Sequence, residues 1–245
     1  MNLYAMLIGL GASFGMWRVS QLSPKNQLLA SANSALWVLT GSLIGSRIGF
    51  IFWQPGYIAE NGLRALQIWE GGLIWPGAIA GAWITIIILA FYRKLDIRIL
   101  ADNMAPLLPP LAIMTWLACI STGSGYGALI SSDFQLPLFV NERGEYLSRF
   151  PNQWVAAISL FFFFLILERK LKTKTVGLYS AMIWIIFALH TLFFSIFRAD
   201  LRPQWRGLPV DVWGAIVLAS FSFIYLGMIL LFKKKNPKET SGLKI

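Results

Sequence analysis

Uncharged apolar runs separated by short clusters of charge set the pattern of this chain. A run of about 20 apolar residues crosses a hydrocarbon layer of about 30 Å as a helix. The runs at residues 1–17, 27–53, 71–92, 104–132, 153–167, 175–197 and 212–232 therefore predict about seven transmembrane helices. The first lacks the basic leader and small-residue cleavage pattern of a signal peptide, so it is read as a true helix. The fourth is too long for one straight span. Pro106, Pro109 and Pro110 interrupt it, and Gly123, Gly125 and Gly127 predict that its last third is not helical. Residues 58–69 form an amphipathic stretch expected to lie in the interface, and residues 133–152 a polar segment expected to make a small external cap.

Composition supports one all-α integral membrane domain over residues 1–245: 57% of the residues are hydrophobic and 13% charged, about half the charged share of a soluble domain. The net charge of +10 points to lipid rather than nucleic acid, because the basic residues sit between apolar runs and form no stripe. Arg18, Lys25, Arg93, Lys94, Arg98, Arg169, Lys170, Lys172, Lys174 and five C-terminal lysines all fall on one side of the spans. The other side holds Arg64, Arg143, Arg149, Arg198, Arg202 and Arg206. The positive-inside rule then places the N-terminus outside and the C-terminus in the cytoplasm. Cys119 is the single cysteine, so an intrachain disulfide is excluded. With His190 the single histidine, no metal site and no cofactor are expected. An inverted repeat, the mark of many transporters, is absent.

A few polar residues carry candidate chemistry. Arg47 lies inside the second run, where an arginine costs about 2.5–3.5 kcal/mol unless paired or wetted. It either snorkels to the outer interface or finds an anion, with a lipid phosphate and Glu70 as the alternatives. Gly71, Gly72, Gly77, Ala78, Ala80 and Gly81 allow close backbone approach, which helix packing explains as well as ligand binding does. Arg198 and Arg202 are four apart at the outer end of the sixth run, on the spacing of one helical face, suited either to a phosphate or to interface anchoring. His190 is a candidate for proton transfer or for hydrogen-bonded packing.

Several segments resemble the prolipoprotein diacylglyceryl transferases, seven-helix bacterial enzymes that move diacylglyceryl from phosphatidylglycerol to a lipoprotein cysteine. Asn2-Leu3-Tyr4-Ala5 is similar to the family's opening, Gly41 to Phe50 to its arginine motif, and Trp69-Glu70-Gly71-Gly72 to the start of its best-known motif. Gly123, Tyr126 and Gly127, Pro151-Asn152-Gln153 and Phe197-Arg198 continue the match in order. The resemblance implies a multi-pass protein of the bacterial plasma membrane, with an anionic phospholipid and a lipoprotein precursor as partners. It marks Tyr4 and Glu70 as candidate catalytic residues and Arg47, Arg198, Gly71 and Gly72 as candidate phospholipid-binding residues; the residues themselves add His190 to the first group and Arg202 to the second. It also implies weakened chemistry. Pro76 stands at the family's histidine, Trp116 at its signature arginine, Ser124 at a frequent glutamate, and Val155 and Ala156 at a tyrosine and a glutamate. Thr191 and Ser195 lie near a further arginine and glutamate.

Overall fold

A computed structural model describes residues 3–62, 66–67, 72–130, 138–140, 146–171 and 175–235. Helices account for most of them: α1 (Leu3–Leu22), α2 (Leu28–Trp53), α3 (Pro55–Asn61), α4 (Trp75–Arg93), α5 (Ile97–Met104), α6 (Leu108–Ser121), α7 (Asn152–Lys170), α8 (Leu178–Phe197) and α9 (Val210–Lys235). Two short antiparallel hairpins complete the described structure, β1 (Leu138–Val140) with β2 (Tyr146–Ser148) and β3 (Gln204–Trp205) with β4 (Leu208–Pro209). Six helical runs among the described residues are long and apolar enough to cross a membrane. They correspond to the second through seventh runs of the sequence reading. The first run is a helix as well, but glycine, serine, Arg18 and Gln21 dilute its apolar character and it does not join the six. Large side chains such as Phe91 (88% exposed) and Leu231 (70%) point away from protein, as lipid-facing side chains do.

The fourth span begins earlier than its hydropathy suggests, at Ile97, and continues to Ser121. Its prolines start a helix rather than stop one. Pro106 sits in a 3-10 turn (Ala105–Leu107), and Pro109 and Pro110 occupy the opening turn of α6, where a missing N–H is not needed. Beyond Ser121 the chain leaves the helix, as the glycine cluster predicts: Gly123 and Gly125 take φ of 62° and 72°. The expected external cap holds the β1–β2 hairpin, in the register Leu138 to Ser148, with residues 131–137 and 141–145 outside the described residues. Of the expected amphipathic stretch, α3 covers the beginning, and residues 63–65 and 68–69 are likewise outside.

The chain forms two compact units, residues 19–104 and residues 1–18 with 105–245. In the first, α2 and α4 pack through small residues. Gly41, Gly45 and Gly49 recur every fourth residue on α2 and meet Gly77, Gly81 and Thr85 of α4. A Cβ on Gly45 would lie 2.5 Å from the Gly77 carbonyl oxygen. Two apolar helices in lipid gain little from hydrophobic burial, so close van der Waals contact of this kind holds them together. Arg93 adds a polar tie, donating to Ser34 Oγ at 2.6 Å and to Asn33 Oδ1 at 3.1 Å. In the second unit, Gly11 and Gly15 of α1 lie against Leu111 and Leu107, and Arg18 pairs with Glu168 at 2.6 Å. There α8 and α9 bury Ala181, Ala188, Ala215 and Ser222.

Candidate lipid-binding site

Within residues 19–104, Arg47 is buried, 3% exposed. Its Nη1 donates to the Gly72 carbonyl at 3.3 Å, and its guanidinium lies 5.4 Å from the ring centroids of both Phe50 and Tyr57. Ser46 beside it donates to the Ile74 carbonyl at 2.9 Å, tying α2 to the residues that precede α4. Gly72 is at φ 69°, and a Cβ there would come within 2.8 Å of Arg47 Nη1 and 2.6 Å of Phe50. Glycine is therefore required for the backbone to reach the guanidinium. Snorkelling to water does not describe this arginine, which is enclosed by rings and carbonyl. Glu70 and Gly71 lie outside the described residues.

The second unit gathers its polar groups where α6 ends, α7 begins, α8 ends and α9 begins. Segment 122–127 is the hub. Gln153 Nε2 donates to the Ser124 carbonyl at 2.8 Å and Asn152 Nδ2 to the Gly125 carbonyl at 3.1 Å. Ala199 N–H donates to the Tyr126 carbonyl at 2.9 Å, and Gly127 N–H to the Phe150 carbonyl at 3.1 Å. Non-helical backbone at the margin of a membrane must satisfy its polar groups within the protein, and these bonds do so. Arg149 stacks on Tyr126 with its guanidinium 4.3 Å from the ring centroid.

Four charges close on one another beside the hub. Arg198 binds Asp200 through Nη2 at 2.6 Å and Nε at 2.9 Å, and reaches Asp211 at 3.3 Å. Arg202 binds Asp211 at 2.8 Å and donates to the Arg198 carbonyl at 3.2 Å. Ser195 donates to Asp211 at 2.9 Å. Burial alone would raise the Asp200 carboxyl, but the hydrogen bonds and charge of Arg198, with the Gly125 N–H, hold it below the usual carboxylate range. The same pairing outweighs burial at Arg198 and holds its guanidinium above its ordinary value. Arg198 and Arg202 come together, but not on the shared helical face that their four-residue spacing predicts. α8 ends at Phe197, and Arg198 is already extended with ψ 133°. Asp211, in the first turn of α9, draws both arginines to itself.

His190 is also engaged. Its Nε2 is 3.0 Å from Ser159 Oγ, and the rings of Phe194, Phe163 and Trp116 stand around it with centroids at 4.5, 6.2 and 6.4 Å. Trp116, the residue standing where the family resemblance implies arginine, thus supplies an aromatic edge instead of a charge. Tyr4 is half-buried near the end of α6 and within electrostatic reach of Cys119. Asp200, Asp211 and Ser195 went unrecognised as partners in the sequence. The available signal was a lone acidic residue opening an uncharged span just after three arginines.

Comparison with known proteins agrees with this architecture. The family model described as prolipoprotein diacylglyceryl transferase matches residues 1–233. Three bacterial relatives, each named phosphatidylglycerol–prolipoprotein diacylglyceryl transferase, illustrate the range. The protein from Rhizobium meliloti is 31% identical over 80% of this chain and 70% of its own length. That from Allorhizobium ampelinum is 28% identical over 85% and 75%, and that from Buchnera aphidicola 26% over 96% and 92%. A match along nearly the whole chain, in a multi-span helical membrane protein, establishes that this chain belongs to the prolipoprotein diacylglyceryl transferase family.

Proposed function

We propose that this chain binds phosphatidylglycerol in the bacterial inner membrane and transfers diacylglyceryl to a lipoprotein cysteine at only a small fraction of the family's rate. The closed network of Arg198, Asp200, Arg202 and Asp211 carries the reading. Family chemistry needs a base for the incoming thiol and positive charge for the departing glycerol phosphate. Arg198 and Arg202 already face two carboxylates at 2.6–3.3 Å, so a phosphate would have to displace Asp200 or Asp211. His190 is enclosed by rings, with Nε2 at Ser159 and Nδ1 without a hydrogen-bond partner among the described residues, and serves in this reading as a packing residue. Arg47 and Gly72 remain the lipid-binding candidates, with Glu70 as their competitor and Tyr4 as the remaining candidate hydroxyl.

Losing one acid, base or charge stabiliser costs about 100-fold or more in rate, and here several are replaced at once. Expression in bacteria depleted of their own transferase is expected to leave growth unrescued, while the purified protein still retains phosphatidylglycerol in native mass spectra. Full rescue would overturn the reading and return catalysis to His190 or Glu70. A non-catalytic assembly role is the second reading, favoured by the same saturated charges. It predicts retained lipid with no detectable thiol-dependent release of glycerol phosphate.

A further inference from the structure

Asn152 and Gln153 open α7 and are 0% and 2% exposed. Each is satisfied on one side only. Their amide nitrogens are spent on consecutive backbone carbonyls, Gly125 and Ser124. That anchoring fixes which way both amides point, because turning either over would set oxygen against oxygen. Asn152 Oδ1 and Gln153 Oε1 are left as buried acceptors without a donor among the described residues. A buried acceptor left unmet costs its full desolvation, and here two acceptors fall on adjacent residues at the opening of one helix.

We infer that Asn152 and Gln153 form an acceptor pair for two neighbouring hydroxyls, and that the hydroxyls belong to the diol headgroup of a phospholipid. The inference rests on the lipid-binding reading above. Chemistry narrows the ligand: an ionised phosphate offers only acceptors and cannot bond to two amide oxygens. An ammonium would bring a charge, and the nearby carboxylates Asp200 and Asp211 are already held by Arg198 and Arg202. Neutral hydroxyl donors remain. The pair lies where α6 ends and α7 begins, in the first turn of a candidate span. Its support is rigid, since segment 122–127 is pinned both by α7 and by the residues after α8. A preorganised polar pair discriminates strongly against a ligand lacking the matching groups.

The test uses the full chain and two lipid probes of equal charge and equal acyl chains, dioleoyl phosphatidylglycerol and dioleoyl phosphatidylpropanol, which lacks the hydroxyls. Native mass spectrometry of lipid retention is expected to favour phosphatidylglycerol by roughly tenfold or more. Gln153→Met is expected to lower that preference toward unity while leaving phosphatidylpropanol retention unchanged. Equal retention of both lipids by the unmodified protein overturns the acceptor pair and leaves the lipid-binding reading standing. Retention of neither overturns that reading and the pair with it. Because the lipid comparison is made on the unmodified protein, it decides the matter even where Gln153→Met does not fold.

Discussion

Arg198 and Asp211, thirteen residues apart across the loop that joins α8 to α9, form an ion pair at 3.3 Å, and the same Asp211 oxygen accepts from Ser195 and Arg202. One carboxylate thereby fastens the end of one span to the start of the next.

Removing that carboxylate leaves two guanidinium groups, 16% and 13% exposed, short of an acceptor. Asp211→Ala is expected to cost about 3–5 kcal/mol, since an uncompensated buried charge is left behind. Ser195→Ala removes one hydrogen bond and is expected to cost about 1 kcal/mol. Thermal unfolding in detergent measures both. Equal, small effects would show that Arg198 and Arg202 do not depend on Asp211.

Asp200 gives the loop a dependence on acid. Its folded carboxyl lies below the ordinary range because Arg198 and the Gly125 N–H favour the charged form over the opposing effect of burial. A depressed folded value contributes stability that is complete above the unfolded aspartate value, about 3.9, and is lost as pH falls through the folded value. The melting temperature should therefore lose nothing to this group between pH 7 and about pH 5 and decline below about pH 4. Asp200→Asn should be less stable at pH 7 and show a shallower acid decline. An identical decline in both proteins would assign the acid response elsewhere.

Close contact between α2 and α4 makes Gly45 sensitive to a single methyl group. A Cβ there meets the Gly77 carbonyl oxygen at 2.5 Å and Gly81 Cα at 2.7 Å, both backbone atoms. Gly45→Ala is expected to destabilise the unit by about 1–3 kcal/mol. Gly227→Ala, where nothing lies within 4 Å of the added carbon, serves as the neutral control. If the two variants melt alike, small-residue packing is not what joins these helices.

The excess of basic residues on one side of the spans sets an orientation that reporter fusions can check. A reporter after Lys235 is expected to be cytoplasmic and one within residues 142–149 external. Cytoplasmic signal from the second site would reverse the orientation and take the loop segments away from the outer leaflet.

The sequence by itself determined the helical membrane class, five of the six spans to within a few residues, the end of α6 at its glycines, and the family. Hydropathy and φ-restricted residues are properties of short windows, and a span has to be apolar wherever its neighbours lie. Motif order along the chain is equally local information. Only the tertiary structure decided what the charged residues do. Asp200 and Asp211 read as unremarkable loop and helix-start acids until the reversal after Phe197 turned them toward Arg198 and Arg202. Asn152 and Gln153 were legible as a motif, yet their buried oxygens depend on which carbonyls of segment 122–127 hold the other side of each amide. Arg47 stood out at once as costly. That Phe50, Tyr57 and the Gly72 carbonyl enclose it depends on a left-handed glycine and two packed helices, and no window of sequence contains that arrangement. Charge pairing is set by contacts between distant segments, whereas burial in lipid is set residue by residue.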